Sequence, residues 1–495
     1  MAGFSLAWPC LILLAGCLVH GQIYINQDAA WVLYGARSML HGAQFGTDIV
    51  EPNPPFMWWV SIVPAAAAEA LGAPMIATLR VFIALVAAGS LVAADRLLAG
   101  TTSLPRRIAF LAVAAYLFTF ATHRDLGQRE HFTVLLILPY VLAVALRMEG
   151  RSVEFMAGFA IGFAAGIGLS FKPYFLLIPL FLEATLLWKT RAPQLLARPE
   201  ALGAVAVAVL FATATLLLAR PWLFEVVPDV QRIYWAFDST LGSQWVSLAA
   251  KFVLPLLATV LVLFAEPPSH AKALLITGAG FAGAAILQGK YYTYHVYAIY
   301  VMLVLGAVAG FPGRPGRRAK ILGLIFVGIF LQNLKETGGR MLSLSEHGGF
   351  GKNVGEVIAL VAENSPKDGS FLAVSTHNFP AFPTALYADR RYASTTNSQF
   401  YLPAVVRLRL SREPVDPELL AFAEIKARAA ILHDLALRPD VVLIDQRSYR
   451  HAIGRAQFDF LQFYLEDPRF RTAWTQYRRI EPAPRGFAAY IRVRN

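Results

Sequence analysis

Residues 4–42 read FSLAWPCLILLAGCLVHGQIYINQDAAWVLYGARSMLHG, an apolar run followed closely by a short amphipathic segment. The run 4–20 is about as long as a helix needs to be to cross the ~30 Å hydrocarbon core of a bilayer. Asn26 is a helix-capping residue type and Gly42 a helix-ending one, so a second helix is predicted between them, with Asp28 in its first turn. The sequence thus predicts a membrane span followed by a helix at the membrane surface.

Apolar runs of this kind recur along the chain. The protein has 495 residues, of which 57% are hydrophobic and 15% charged, and its mean hydropathy is +0.51. The predicted fold class is therefore an α-helical polytopic membrane protein with about 11 transmembrane helices. The nearly uncharged segments are 4–20, 75–94, 107–122, 131–147, 153–170, 173–188, 201–219, 248–265, 273–288, 291–311 and 321–334.

The basic residues predict the topology. They recur in the short loops 95–107, 189–200 and 314–320, and cytoplasmic loops carry such an excess. All three loops fall inside only if 56–72 (FMWWVSIVPAAAAEALG) is an interfacial or re-entrant helix in the first outer loop rather than a span. We therefore expect eleven spans, an inner amino terminus and most titratable loop residues on the outer face.

The composition also argues against several classes of function. The net charge of +12 is explained by the inner loops, so it does not indicate nucleic-acid binding. The two cysteines, Cys10 and Cys17, both lie in the first apolar run, which excludes a disulfide framework. The sequence contains no Walker loop, zinc-ligand spacing, nucleophile elbow, dinucleotide fingerprint or D-x-D motif in a soluble domain. ATPases, hydrolases, dehydrogenases and nucleotide-sugar enzymes are therefore disfavoured.

The chain changes character near KETGG (335–339), beyond which charges spread and apolar runs shorten. SFLAVST (370–376), VVLIDQ (441–446) and FAAYIRVR (487–494) are predicted strands, while 421–437 and 458–466 are predicted helices. The predicted domains are thus a transmembrane catalytic domain, 1–336, and a C-terminal soluble α/β domain outside the membrane, 337–495.

Three acids in the first outer loop are candidate site residues. The positive end of the helix dipole stabilises negative charge at Asp28, and Asp48 and Glu51 follow in the same loop, with Glu51 fixed by the adjacent Pro52. An ordinary helix-starting acid is the alternative for Asp28, and a surface acid the alternative for Glu51.

Further titratable groups are expected on the outer face, in the segments 123–131 and 288–295 and at Lys172. The turn HRDLGQREH (123–131) carries Arg124, Asp125, Arg129, Glu130 and His131, with a mutually paired salt-bridge cluster as the alternative. Lys172 and Lys290 stand at the outer ends of spans, where a snorkelling lysine is the alternative. Rim ionisable groups in membrane proteins are functional candidates by default. QGKYYTYH (288–295) adds Tyr291 and His295.

One base, several cations and access to lipid suit glycosyl transfer from a lipid-phosphate sugar. The leaving phosphate departs as an anion that Arg, Lys and His stabilise, and the acceptor hydroxyl needs one base to take its proton. Attack by the acceptor oxygen would invert the anomeric carbon. Asp28 and Glu51 are compatible with a divalent metal, but nothing in the sequence requires a metal or cofactor.

The chain resembles the GT-C superfamily of polytopic glycosyltransferases, especially the branch with protein O-mannosyltransferases and the lipid A aminoarabinose transferase. The resemblance covers about 330 residues. It rests on Asp28 and its helix, VEPNPPFMWW (50–59), an interfacial helix before GAPMIATLR (72–80), the 123–131 turn and GLSFKP (168–173).

This resemblance implies an inverting transfer from a polyprenyl-phosphate-linked sugar, with Asp28 as the base and Glu51 as the second loop acid. The resemblance also implies that cations bind the donor phosphate. Because Asn53 stands where the branch often has a lysine, we expect the phosphate to be bound by Arg129, His131, Lys172 and Lys290. Ala29, where the branch usually has another acid, is a second departure.

The expected partners are the lipid-linked donor, membrane lipids and an acceptor that is a glycan, lipid or protein. The expected location is the bacterial inner membrane, with the site and C-terminal domain facing the periplasm. A lipid-linked sugar transporter or flippase is the alternative, although transporters usually place polar groups near the midplane.

Overall fold

The computed structural model describes residues 5–238, 245–290, 292–312, 316–347 and 354–493. The chain forms two compact units, each built from separate segments. Unit 1 comprises Met1–Ile23, Asn53–Ala214 and Ser239–Met341, and unit 2 comprises Tyr24–Pro52, Thr215–Asp238 and Leu342–Asn495. The domain boundary expected at residue 336 stays a prediction, and each unit is described by itself below.

Helices dominate the described residues, with five short strands near the carboxyl end. In chain order the α-helices are α1 Ala7–Gly21, α2 Gln27–Leu40, α3 Phe56–Leu71, α4 Met75–Leu98, α5 Leu104–Thr119, α6 Arg129–Met148, α7 Phe155–Leu169, α8 Leu177–Thr190, α9 Pro199–Leu218, α10 Val227–Ile233, α11 Trp245–Leu263, α12 Ser269–Gln288, α13 Thr293–Ala309, α14 Arg317–His347, α15 Val354–Asn364, α16 Thr384–Tyr387, α17 Leu402–Arg409, α18 Pro417–Ala436, α19 Phe460–Leu465 and α20 Pro468–Trp474. The strands are β1 Ser370–Val374, β2 Arg391–Tyr392, β3 Val441–Asp445, β4 Tyr477–Ile480 and β5 Phe487–Arg492.

Among the described residues, six segments are long and apolar enough to cross a membrane: Met75–Leu98, Leu104–Asp125, Arg129–Met148, Pro199–Leu218, Ser269–Gln288 and Arg317–Leu344. The same ranges contain five shorter apolar helices, Ala7–Gly21, Phe56–Leu71, Phe155–Leu169, Phe252–Leu263 and Thr293–Ala309. The chain is therefore a helical integral membrane protein, as expected. The count of eleven spans, the interfacial placement of α3 and the orientation stay predictions.

Close helix crossings and buried ion pairs hold unit 1 together. A β-carbon added to Gly162 of α7 would lie 1.9 Å from the Glu200 carbonyl oxygen of α9, so this crossing requires glycine. The buried side chains of Arg107 on α5 and Asp95 on α4 form an ion pair at 2.6 Å. Such pairs satisfy charges that would be costly to leave alone in an apolar interior.

Unit 2 is built on a five-stranded sheet of order β2-β1-β3-β5-β4. β1 pairs in parallel with β2 and β3, whereas β5 runs antiparallel to both β3 and β4. β1 and β3 are buried at every position, as expected for strands that read as continuous apolar runs. Helices α17, α18 and α19 contribute to the core beside them. The α/β character predicted for the C-terminal region is confirmed, and helix α2 belongs to this same unit.

Candidate functional site

The helix that carries Asp28 begins and ends where the sequence indicated. Asn26 has φ −57° and ψ 142°, and its Oδ1 accepts a hydrogen bond from the Asp28 amide at 2.8 Å. This N-cap satisfies one of the first-turn amides that have no partner within the helix. Beyond the last turn, Gly42 has φ +95°, a conformation that glycine adopts without strain. Asp28 therefore lies in the first turn of α2, as predicted.

Asp28 has a partner that the sequence analysis missed. The Asn378 side-chain amide donates to Oδ1 of Asp28 at 2.5 Å, across 350 positions in the sequence. Asn378 lies in the loop after β1, at the carboxyl end of a strand with parallel neighbours on both sides. Polar groups at such strand ends commonly form ligand sites in α/β folds. That placement is the signal that could have drawn attention to Asn378.

Glu51 is buried, so the alternative of a surface acid is wrong. It is 3% exposed, and its Oε2 accepts hydrogen bonds from Nε1 of Trp31 at 2.9 Å and Nδ2 of Asn397 at 3.3 Å. Its backbone carbonyl oxygen accepts a further bond from Nε1 of Trp222 at 2.8 Å. Each buried polar atom named here thus has a partner, as buried polar groups require. Asn397 is the second asparagine that the sequence analysis missed.

The third acid, Asp48, is exposed and stabilises its own turn by accepting from the Gln44 amide at 2.8 Å. It also lines a groove of about 860 Å³ in unit 2, a volume in the range of ligand pockets. Burial raises the pKa of Tyr34 in this groove, and its hydroxyl accepts from the Tyr392 amide at 3.0 Å. The groove is also lined by the polar or charged residues Arg37, Ser38, His41, Lys367, Asp368, Asp389, Arg390, Arg391 and Ser394.

In unit 1, Lys172 lies in a buried polar cluster rather than at a snorkelling position. Its Nζ lies 2.6 Å from Oε1 of Glu130, 2.9 Å from Oε1 of Gln288 and 3.1 Å from Nε2 of His295. Lys172 is 4% exposed and Glu130 1% exposed, so this is an interior ion pair. The snorkelling alternative for Lys172 is therefore wrong.

Two further predicted cations belong to the surroundings of this cluster. Arg129 and Lys290, like Lys172, lie close enough to the His295 ring to act on it electrostatically. All are buried, with Arg129 7% and Lys290 6% exposed. The structure thus brings Lys172 and His295, from distant parts of the sequence, within 3.5 Å of Glu130. Tyr291, predicted beside them, lies outside the described residues.

The ring of His131 is committed to the backbone of unit 1. Its Nδ1 accepts a hydrogen bond from the Gly127 amide at 3.1 Å, so its Nε2 carries the hydrogen that is donated to the Phe118 carbonyl oxygen at 2.9 Å. The residue is fully buried. These contacts give His131 a role in fixing the turn before α6 and leave neither ring nitrogen for a phosphate, contrary to what the sequence analysis expected.

The 123–131 turn is not a salt-bridge cluster closed on itself. Glu130 pairs with Lys172, and His123, at φ +52°, lies 3.0 Å from Oδ1 of Asn333 and 3.4 Å from Oε2 of Glu336. His123 and Asp125 line a small polar cavity within unit 1. Arg124 is partly exposed and does not line this cavity.

No group of three or more His, Cys, Asp or Glu side chains in the described ranges is arranged to hold a metal ion. The expectation that no metal or cofactor is required stays a prediction.

Comparison with known proteins gives the fold. Neither protein-family models nor characterised proteins match the sequence. Among solved structures, ArnT from Cupriavidus metallidurans bound to undecaprenyl phosphate is similar with a TM-score of 0.55 and 11% identity, over 99% of this chain and 98% of that chain. At this identity the likeness shows the fold alone. The resemblance in fold that the sequence predicted is confirmed by this similarity to ArnT.

A second solved structure, the Archaeoglobus fulgidus oligosaccharyltransferase tethered with an acceptor peptide, has a TM-score of 0.46 and 12% identity, over 98% of this chain and 74% of that chain.

Proposed function

We propose that this protein is a membrane glycosyltransferase that moves a sugar from a polyprenyl-phosphate donor to an acceptor hydroxyl. Asp28 removes the proton from the acceptor hydroxyl as its oxygen attacks the anomeric carbon. The bond from that carbon to the phosphate oxygen breaks, and the polyprenyl phosphate leaves as an anion. One displacement of this kind inverts the anomeric configuration.

The observation that carries the proposal is the placement of Asp28 in a chain with the fold of ArnT, which was solved with undecaprenyl phosphate bound. Asp28 lies in the first turn of a capped helix, where its backbone amide donates to Asn26, and its carboxylate accepts from the side-chain amide of Asn378. A general base must be held within hydrogen-bonding reach of its substrate, and both contacts restrict where this carboxylate can point.

The cations of unit 1 suit the departing phosphate. Arg129, Lys172 and Lys290 gather around His295 in a buried environment, and Lys172 pairs with Glu130. Positive groups fixed in a low-dielectric site stabilise developing negative charge more strongly than they would in water. His131 is left out of this set, because its ring bonds to Gly127 and Phe118.

The acceptor side of the reaction is assigned to unit 2. Helix α2 carries Asp28 at its start and contributes Trp31, Tyr34 and Arg37 to the groove further along. Because an α-helix rises ~1.5 Å per residue, the groove begins within about two turns of the base. An acceptor glycan, lipid or protein would bind in this groove. Glu51 holds Trp31 in place by a hydrogen bond, and Asp48 lines the groove.

We place the reaction on the outer face of the bacterial inner membrane, following the distribution of basic loops. A lipid-linked sugar transporter, the alternative raised by the helix count, is not favoured by the shared fold with ArnT.

The test is a reconstituted assay with purified protein, a panel of polyprenyl-phosphate sugars and envelope material from a strain lacking this protein. We expect polyprenyl phosphate to be released only when acceptor is present, and nuclear magnetic resonance of the product to show inversion. Movement of intact lipid-linked sugar across vesicles without cleavage would instead support the transporter. Comparison of envelope glycans and glycoproteins between the wild-type and deletion strains would identify the acceptor.

A further inference from the structure

Asp28 and Glu51, both in unit 2, each accept a hydrogen bond from an asparagine amide in the carboxyl-terminal part of the chain. Nδ2 of Asn378 donates to Asp28 at 2.5 Å, and Nδ2 of Asn397 donates to Glu51 at 3.3 Å. Both asparagines lie in loops that follow parallel strands, Asn378 after β1 and Asn397 after β2. The same structural device therefore serves both acids.

The loop of Asn378 is fixed by its own hydrogen bonds. The Ser375 hydroxyl donates to Oδ2 of Asp445 at the end of β3, at 2.8 Å, and accepts from the His377 amide at 3.1 Å. The Asn378 carbonyl oxygen accepts from the Phe382 amide at 2.8 Å. A side chain mounted on a loop held in this way can fix the geometry of its partner.

We infer that Asn378 is a positioning residue for Asp28 and that Asn397 positions Glu51 in the same manner. The carboxyl-terminal part of the chain is thus an integral part of the active site rather than an accessory domain. This inference rests on the proposed role of Asp28 as the base. A neutral amide suits that role, because it orients a carboxylate by one hydrogen bond without placing a full positive charge beside it.

The contacts described for unit 2 place two titratable side chains, His377 and Tyr387, beside this pair. His377 precedes Asn378, and its Nδ1 accepts from the Phe379 amide at 2.9 Å. The hydroxyl of Tyr387 accepts from the Ile25 amide at 3.3 Å, close to the start of α2. A carboxylate introduced at position 378 would replace the amide that donates to Asp28, so it would lie directly beside the Asp28 carboxylate.

The experiment compares Asn378→Ala, Asn378→Asp and Asn364→Ala in the full-length protein, using the donor and acceptor assay described above. Asn364 is the matched control, because the hydrogen bond described for its amide lies within its own helix, to the Leu360 carbonyl oxygen at 2.9 Å. We expect Asn378→Ala to lower kcat about 10- to 100-fold with little change in either KM, as for a misplaced catalytic group. We expect Asn364→Ala to match the wild type.

Asn378→Asp is nearly isosteric, so it keeps the inference testable if Asn378→Ala does not fold. Two carboxylates this close share one proton, and we expect the acidic limb of its kcat/KM profile to move up by about one pH unit or more. A wild-type kcat and profile for Asn378→Asp, with Asp28→Asn inactive, would overturn the positioning role alone. An active Asp28→Asn would overturn the proposed function as well.

Discussion

At the scale of single residues, the proposed site depends on neutral donors that hold carboxylates. Asp28 accepts from the amide of Asn378, and Glu51 accepts from the indole of Trp31 and the amide of Asn397. Carboxylates in poorly hydrated surroundings need such donors, because burying an unsatisfied acceptor costs about 1–3 kcal/mol or more. The donors therefore stabilise the fold and orient the acids together.

The sequence predicted the acid of each of these pairs but not the asparagine that donates to it. Asp28 could be predicted because its signal is local: Asn26 caps the helix and Gly42 ends it. Asn378 could not be predicted as its partner, because the two positions are 350 residues apart and no local pattern links them. Lys172 and Glu130 were both recognised as candidates, but their ion pair over 42 positions required the fold.

The His433–Asp434 pair at the end of α18 makes the stability of that helix depend on pH. The Asp434 carboxylate, whose Oδ1 lies 3.6 Å from Nδ1 of His433, raises the pKa of His433, while burial raises the pKa of Asp434. A raised histidine pKa contributes stability below its unfolded value of about 6.5 and loses it as the pH rises through the folded value. The raised pKa of Asp434 has the same sign at lower pH.

We therefore expect amide hydrogen exchange in the last turns of α18 to speed up, after correction for intrinsic rates, as the pH rises above about 6.5. In His433→Gln this change should be largely absent. An equal pH dependence in the two proteins would show that the pair does not contribute.

At the scale of elements, unit 1 places its polar cluster where helices α6, α12 and α13 come together with the loop after α7. Glu130 comes from the first turn of α6, Gln288 from the end of α12, His295 from the start of α13 and Lys172 from that loop. The uncharged apolar runs predicted these helices well, but which of their ends meet depends on packing. In unit 2 the buried runs predicted β1, β3 and β5, whereas the two-residue β2 and the largely polar β4 gave no such signal.

A double-mutant cycle distinguishes the contribution of the Glu130–Lys172 pair to stability from its contribution to activity. Removing one partner of a buried pair typically costs about 3–5 kcal/mol, because a charge is left without its counter-ion. We expect Lys172→Met and Glu130→Leu each to lower the unfolding temperature markedly, and the double variant to recover most of that loss. The double variant should still be inactive, since a phosphate-binding cation is gone.

The Asp95–Arg107 pair is the matched control, since it is also buried and equally short but lies outside the proposed site. Its double variant, Asp95→Leu with Arg107→Met, should recover both stability and activity. Full activity in the Lys172→Met, Glu130→Leu protein would remove Lys172 from the proposed phosphate set.

At the scale of the whole molecule, the fold of ArnT extends over 99% of this chain. The predicted class, a helical membrane protein with a carboxyl-terminal α/β region, followed from hydropathy and from the change of composition near residue 336. The compact units are less simple, because 24–52 and 215–238 belong with the carboxyl-terminal residues. Sequence patterns describe neighbours along the chain, so they did not indicate that these two segments belong to the same unit as the carboxyl-terminal residues.

The membrane topology of the protein can be tested by cysteine labelling. In a protein with Cys10 and Cys17 replaced by serine, we expect Thr101→Cys to react with an impermeant thiol reagent only after the membrane is opened. Asp389→Cys, on the carboxyl-terminal part of the chain, should react in intact spheroplasts. Labelling of Thr101→Cys from outside would reject the eleven-span arrangement, and with it the outer-face reaction.

The most direct test of the central claim is the turnover of purified Asp28→Asn with a polyprenyl-phosphate sugar and acceptor. The substitution keeps the size and polarity of the side chain but removes its ability to accept a proton as a base. We predict loss of turnover by at least about 100-fold, as expected when a general base is removed, with the unfolding temperature and donor binding little changed. Turnover close to that of the wild type would contradict the account.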